Sequence, residues 1–203
     1  MTVIKLCGMM EKKDIEAANR ELPEYIGFIF WEKSHRNLTE EKAKQLKDLL
    51  DKRIKAVGVF VDAQVDFIIR LYDNGVIDLA QLHGNEDEAY IAKIKSAGIP
   101  VIKAYKVENK ESLIRAERSS ADYILLDAGK GEGQTFNWQL LKEFKREYFL
   151  AGGLDPKNVK QAIDLLKPYG VDVSSGIETN KKKDTSKMHQ FVTNAREDMK
   201  DVK

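Results

Sequence analysis

Cys7, the chain's one cysteine, stands in "KLCG", where an apolar run gives way to a glycine and a charged stretch. Asp127 closes "YILLDA" in a similar way, a carboxylate directly behind an apolar and aromatic run. These two residue types at run exits could take and give a proton. A thiol accepts one where its pKa is brought down, and a carboxylate leaving an apolar segment is either solvated or held for a purpose, because burying it without a partner is costly. Each has a plainer reading. Free cysteine packs as a small apolar residue, and an aspartate at a run exit can cap a loop or pair with a lysine.

Arg36, in "WEKSHRN", lies in the longer segment after the second apolar run; its guanidinium can grip a carboxylate at two points as no lysine can, or can be a solvated surface charge. His83, in "QLHG", stands at the end of the fourth apolar run, where an imidazole is either a proton carrier or a hydrogen-bonded structural group. Gly152 and Gly153 in "AGGL", and Ser175 and Gly176 in "VDVSSGIE", place small residues where backbone N–H groups can approach an anion, whereas the bland account is tight turns.

The elements that must position these groups recur along the chain. Eight short apolar runs, "VIKLCG", "YIGFIF", "KAVGVFV", "LAQLHG", "PVIKAYKV", "YILLDAG", "YFLAGGL" and "GVDVSSGI", read as strands too continuously apolar to be half exposed, as in a parallel sheet covered on both sides. Charged segments between them carry apolar residues at helical spacing, such as Ile15, Ala18 and Leu22, or Ala43, Leu46, Leu49 and Leu50. Thr39 before "EEK" and Asp155 before Pro156 mark helix starts. Eight strand–helix units predict an α/β fold, a single-domain (β/α)8 TIM barrel of parallel strands spanning 1–203. An open doubly wound sheet is the alternative, but it calls for a glycine fingerprint after the first strand, where "CGMMEKK" has one glycine. In a barrel the C-terminal strand ends carry the chemistry, which puts Cys7, Arg36, His83, Asp127, Asp172 and the glycine pairs at one rim, and phosphate often binds at the last two loops.

Bulk properties narrow the partners. With 203 residues, 42% of them hydrophobic, the chain can bury a sizeable core. Its 34 basic and 33 acidic residues give no reason to expect nucleic acid or an anionic membrane as partner, so a small molecule is expected. No window resembles a spanning helix or signal peptide, and one cysteine makes no internal disulfide; a cytoplasmic protein without a structural metal is the expectation. The lysine- and glutamate-rich helices read as solvated outer faces and favour a monomer over a homodimer.

Taken in order, "KLCG", "GFIF…SHR", "VGVFV", "QLHG", "LLDAG…GQTFNW", "AGGL" and "GVDVSSGIE…KD" resemble the phosphoribosylanthranilate isomerases of tryptophan biosynthesis over nearly the whole chain. The resemblance implies an aldose–ketose isomerase that performs an Amadori rearrangement of N-(5-phosphoribosyl)anthranilate to 1-(2-carboxyphenylamino)-1-deoxyribulose 5-phosphate, with no cofactor and no metal. It makes the residue matching Asp127 the general acid at the furanose ring oxygen and the one matching Cys7 the base at C2 of the ribose. Arg36 matches the holder of the anthranilate carboxylate, and Asp172 matches a residue on the sugar side of the phosphosugar. Gly152, Gly153, Ser175 and Gly176 match phosphate-binding loops, and His83 is a secondary substrate-binding candidate. Such an acid calls for a raised Asp127 pKa.

The chain departs from that pattern in places. Lys181 stands where family members generally have glycine, which points to loop strain or added charge near the phosphate. Glu132 stands between glycines where a small hydroxyl residue is usual, in the "GKGEGQTF" segment that could close over substrate. Trp31 and Glu32 are undiagnostic. Indole-glycerol-phosphate synthase, the related isomerase of histidine biosynthesis and a catalytically silent phosphate-binding barrel are the rivals. The synthase reading lacks its N-terminal extension and its lysine and glutamate pattern, the histidine-pathway isomerase has aspartate in place of Cys7, and the silent barrel fits poorly with retention of Cys7, Asp127 and Arg36.

Overall fold

In the computed structural model, which describes residues 2–129 and 138–197, every apolar run becomes a strand. The strands are β1 (Val3–Cys7), β2 (Tyr25–Phe30), β3 (Lys55–Phe60), β4 (Leu79–Leu82), β5 (Val101–Lys106), β6 (Tyr123–Asp127), β7 (Tyr148–Ala151) and β8 (Gly170–Val173). Each pairs in parallel with the next and β8 returns to β1, closing the barrel. That closing seam sets Lys5 opposite Asp172 and Leu6 opposite Val173, so the first and last strands present their ends side by side.

The apolar continuity of the strands has a direct cause. Alternate residues fill the interior, where Tyr25, Val57, Leu79, Ile102, Leu125 and Phe149 form a packed plug, with the Tyr25 and Phe149 rings meeting edge to face at 5.9 Å. The other residues pack outward against α1 (Lys12–Glu21), α2 (Glu40–Asp48), α3 (Val65–Asp73), α4 (Glu88–Ser96), α5 (Lys110–Arg118), α6 (Val159–Leu166) and α7 (Thr185–Arg196). Burying one such aliphatic side chain contributes about 1.5–3 kcal/mol, so two apolar faces per strand outweigh the preference of any single residue. Among the described residues no helix is long and apolar enough to cross a membrane.

The helix expectations need some correction. The Thr39 hydroxyl accepts from the Lys42 amide and caps α2, and Ala43, Leu46 and Leu50 are buried. Leu49 is instead 47% exposed, because α2 ends at Asp48 and the following turn swings it outward. Asp155 does not open α6. Its carboxylate accepts from the Lys157 and Asn158 amides in a lead-in turn, and the helix begins at Val159. In the sixth unit the described part of the crossover is a 3₁₀ helix, Trp138–Glu143, and not an α-helix. Glu132 and most of the "GKGEGQTF" segment lie outside the described residues.

After β8 a 3₁₀ turn (Ser175–Ile177) leads into a small hairpin, β9 (Glu178–Thr179) with β10 (Lys182–Lys183). Thr179 faces Lys182, leaving Asn180 and Lys181 as the two turn residues, with φ of 52° and 62°. This primed two-residue turn requires positive φ at both positions, which suits Asn followed by Gly and strains a lysine. The Lys181 departure is therefore a local backbone matter, and Lys181 does not line the cavity at the barrel mouth. Lys181→Gly is expected to raise stability by about 0.5–1 kcal/mol in urea unfolding, with the Michaelis constant unchanged.

Candidate active site

At the C-terminal strand ends a cavity of about 520 Å³ is lined by Cys7, Arg36, His83, Asp127 and Asp172 together with Gly152, Gly153 and Ser175. Residues spread over most of the chain thus share one rim. Gly176, expected beside Ser175, does not line it. An added Cβ there would collide with the Leu154 carbonyl oxygen, so Gly176 lets the loop after β8 pack directly on the loop after β7. Gly152, at φ 93°, likewise leaves room that a Cβ would take only 2.6 Å from an Asp127 oxygen. Gly153 and Ser175 line this cavity, and their amides donate to no backbone or side-chain acceptor among the described residues. Unpaired amides at a concave surface suit an anion.

Asp127 leaves β6 with one carboxylate oxygen accepting from the Gly129 amide at 2.9 Å and the other 3.4 Å from His83 Nε2. Burial pushes its pKa up, but the hydrogen bonds from His83 and the Gly129 amide outweigh burial and leave it below the ordinary aspartate value. The expected rise is not found, because the strand end opens beside an imidazole. Gln81 stands behind this pair, fully covered, with Nε2 3.3 Å from His83 Nδ1 and a side-chain oxygen that has no partner among the described residues. A covered acceptor left unpaired at a cavity wall is costly unless something donates to it.

Cys7 is 5% exposed at the end of β1. Burial pushes its thiol pKa above the ordinary value of 9.0, opposed by the positive charges of Lys5 and Lys183. Desolvation of the thiolate is thus the larger effect.

Arg36 already holds a partner. Its Nε and Nη2 donate to the two Glu178 oxygens at 2.6 and 2.8 Å, and Glu178 also accepts from Lys183 Nζ at 2.7 Å. Burial pushes the Glu178 carboxyl up, but its bonds to Arg36 and Lys183 outweigh it and hold the pKa at about 2. Glu178 takes the side edge of the guanidinium and leaves the end edge, Nη1 with the second Nη2 proton, for another carboxylate. Trp31 and Ser34 line the cavity beside it, and Trp31 is 39% exposed.

Sequence reasoning singled out the lining residues but missed what orients them. Lys5 is completely buried and donates to Asp172 at 2.9 Å; a lysine inside an otherwise apolar strand, two residues before Cys7, was the available signal. Glu178 and Lys183 stand in the quoted "SSGIE…KD" stretch, but their pairing, with each other and with Arg36, depends on how the hairpin folds back.

The profile of the family described as "N-(5'phosphoribosyl)anthranilate (PRA) isomerase" matches residues 4–194. The chain is 42% identical over 199 residues to the N-(5'-phosphoribosyl)anthranilate isomerase of Lacticaseibacillus casei strain BL23, covering 98% of this chain and 97% of the relative. The Endomicrobium trichonymphae isomerase is 41% identical, at 95% and 97% coverage. Among solved structures, the phosphoribosyl anthranilate isomerase of Thermotoga maritima superimposes with a TM-score of 0.89 at 35% identity, covering 96% of this chain and 98% of that one. Another solved phosphoribosyl anthranilate isomerase, with TM-score 0.87, 35% identity and the same coverage, holds reduced 1-(o-carboxyphenylamino)-1-deoxyribulose 5-phosphate. A further Thermotoga maritima structure, with TM-score 0.86 at 35% identity and 96% and 98% coverage, is of monomers made from a dimeric enzyme. Sequence, fold and cavity agree, and the chain belongs to the N-(5'-phosphoribosyl)anthranilate isomerase family.

Proposed function

We propose that this chain is the aldose–ketose isomerase of tryptophan biosynthesis that converts N-(5-phosphoribosyl)anthranilate to 1-(2-carboxyphenylamino)-1-deoxyribulose 5-phosphate. The observation that carries this reading is the placement of Cys7 and Asp127 on one cavity whose wall also offers unpaired amides and the free edge of Arg36.

Each handle has a chemical counterpart. The Gly153 and Ser175 amides hold the phosphate, with Gly152 and Gly176 shaping their loops. The open edge of Arg36, steadied by Glu178, takes the anthranilate carboxylate, and Trp31 offers an aromatic surface to the ring. Two fixed ends hold the sugar between Asp127 and Cys7. Asp127 gives a proton to the ring oxygen as the C1–O bond breaks, and the nitrogen lone pair forms the Schiff base. His83, at 3.4 Å, is placed to return a proton to Asp127. Cys7 then removes the C2 proton, and that electron pair forms the C1–C2 double bond and neutralises the nitrogen. Proton transfer from the C2 hydroxyl to C1 completes the ketose. Asp172, with one oxygen on Lys5, faces the sugar with the other, and a sugar hydroxyl supplies the donor that the Gln81 oxygen lacks.

The steps balance without a redox partner or cofactor. One catalytic domain over 1–203, a cytoplasmic location and a phosphosugar substrate in place of nucleic acid or membrane complete the proposal. A monomer is favoured by the charged helix faces, and light scattering separates it from the dimer known in Thermotoga.

Purified protein given freshly made substrate should consume substrate fluorescence without added metal or nucleotide. Asp127→Asn and Cys7→Ala should each lower kcat by about 10²–10⁴ with the circular dichroism spectrum unchanged; near-normal rates in both would sink the acid and base assignment. Arg36→Met should chiefly raise KM. A base acts only when deprotonated, so a thiol pKa raised above 9.0 makes kcat/KM climb as pH rises through neutrality, which a pH–rate profile reads directly.

A further inference from the structure

We propose that Lys5, clamped by Asp172 beneath the cavity floor, is a positioning residue that holds Cys7 ready to accept a proton. The inference rests on the reading of Cys7 as the base and extends it to a residue that never meets substrate. Lys5 does not line the cavity, whereas Cys7 and Asp172 both do.

Lys5 and Cys7 are two residues apart on β1, so their side chains share the inward face of the strand. Gly27, opposite Cys7 on β2, confirms the direction of the thiol, since an added Cβ there would stand 2.6 Å from Cys7 Sγ. The Lys5 side chain is wholly sealed from water, and its ammonium donates to Asp172 Oδ1 at 2.9 Å. Below it the barrel interior is apolar. A well-packed apolar pair in that position is commonly as stable as a buried ion pair or more so, which leaves the charge itself unexplained by folding.

The thiolate explains it. Cys7 is buried, and burial works against its charged form; a neighbouring ammonium that cannot be screened by solvent is what opposes this. Asp172, from β8, works against the thiolate, but the pull of Lys5 is the larger. Two further cations stand on the outer side, beside Gly8. Lys183, from β10, and Arg36, from the loop after β2, both favour the thiolate, and both are already shared with Glu178. Lys5 is the cation committed to the inner side of Cys7, and its partner Asp172 fixes it there while facing the sugar.

Cys7 is the one cysteine in the chain, so thiolate absorbance read as the difference from the Cys7→Ala protein, which cancels the seven tyrosines, titrates a single residue. In folded Lys5→Met the midpoint should rise by about one unit or more, and alkylation by iodoacetamide at a pH below both midpoints should slow roughly tenfold. Lys5→Arg should restore the wild-type midpoint. The acid limb of kcat/KM should move with the thiol in both variants. Folded Lys5→Met titrating at the wild-type midpoint would overturn the proposal. Where Lys5→Met does not fold, Lys5→Gln serves: it keeps a donor toward Asp172 without the positive charge, the midpoint should again rise, and a wild-type midpoint would equally overturn the proposal. Cys7→Ala turnover is read separately, so a failed base assignment is distinguishable from a failed electrostatic one.

Discussion

The pairing of β1 with β8 is the constraint on which the rest depends. Parallel strands need a covered crossover between each pair, so a ring of them closes only when the first strand meets the last across the whole length of the chain. The register of that seam, Lys5 against Asp172, brings a thiol from residue 7 beside a carboxylate and the loop around residue 175. Without closure these groups belong to opposite edges of a sheet. With it they form one wall, and β6 carries Asp127 to another part of the same mouth.

Charge in this molecule is arranged in small compensated sets. Lys5 with Asp172 lies under the cavity, and Arg36 and Lys183 share Glu178 at its side. Uncompensated, any of these buried or half-buried charges would oppose folding; compensated, each set still leaves a polar group, Asp172 or Arg36, on the cavity wall. Glu178 illustrates the economy of this design. By taking the side edge of the guanidinium it neutralises Arg36, removes its rotational freedom and exposes the edge that matches a carboxylate.

Asp127 shows the opposite balance. A proton donor benefits from isolation, yet His83 and the Gly129 amide stabilise its charged form. Asp127 and His83 stand 3.4 Å apart, and filling the mouth with a ligand would strip water from both. The covered Gln81 extends this pair inward and ties its geometry to the barrel interior.

Periodicity and composition determined the architecture: continuous apolar runs bury both faces of a strand, amphipathic segments cover them, and the number of such units suits a closed ring. Because chemistry in that ring sits at strand ends, the positions of Cys7, His83, Asp127 and the glycine pairs at one rim were legible too. Local signals failed where a neighbour distant in sequence decides the outcome. Leu49 turned outward because its helix stopped a residue earlier, Asp155 shaped a turn before the helix it was expected to start, and the sixth crossover adopted a 3₁₀ helix over its described part. Protonation tendencies were beyond reach for the same reason. The pKa values of Cys7 and Asp127 depend on burial and on charges brought from β8, β10 and β4, and those distances exist only in the folded ring.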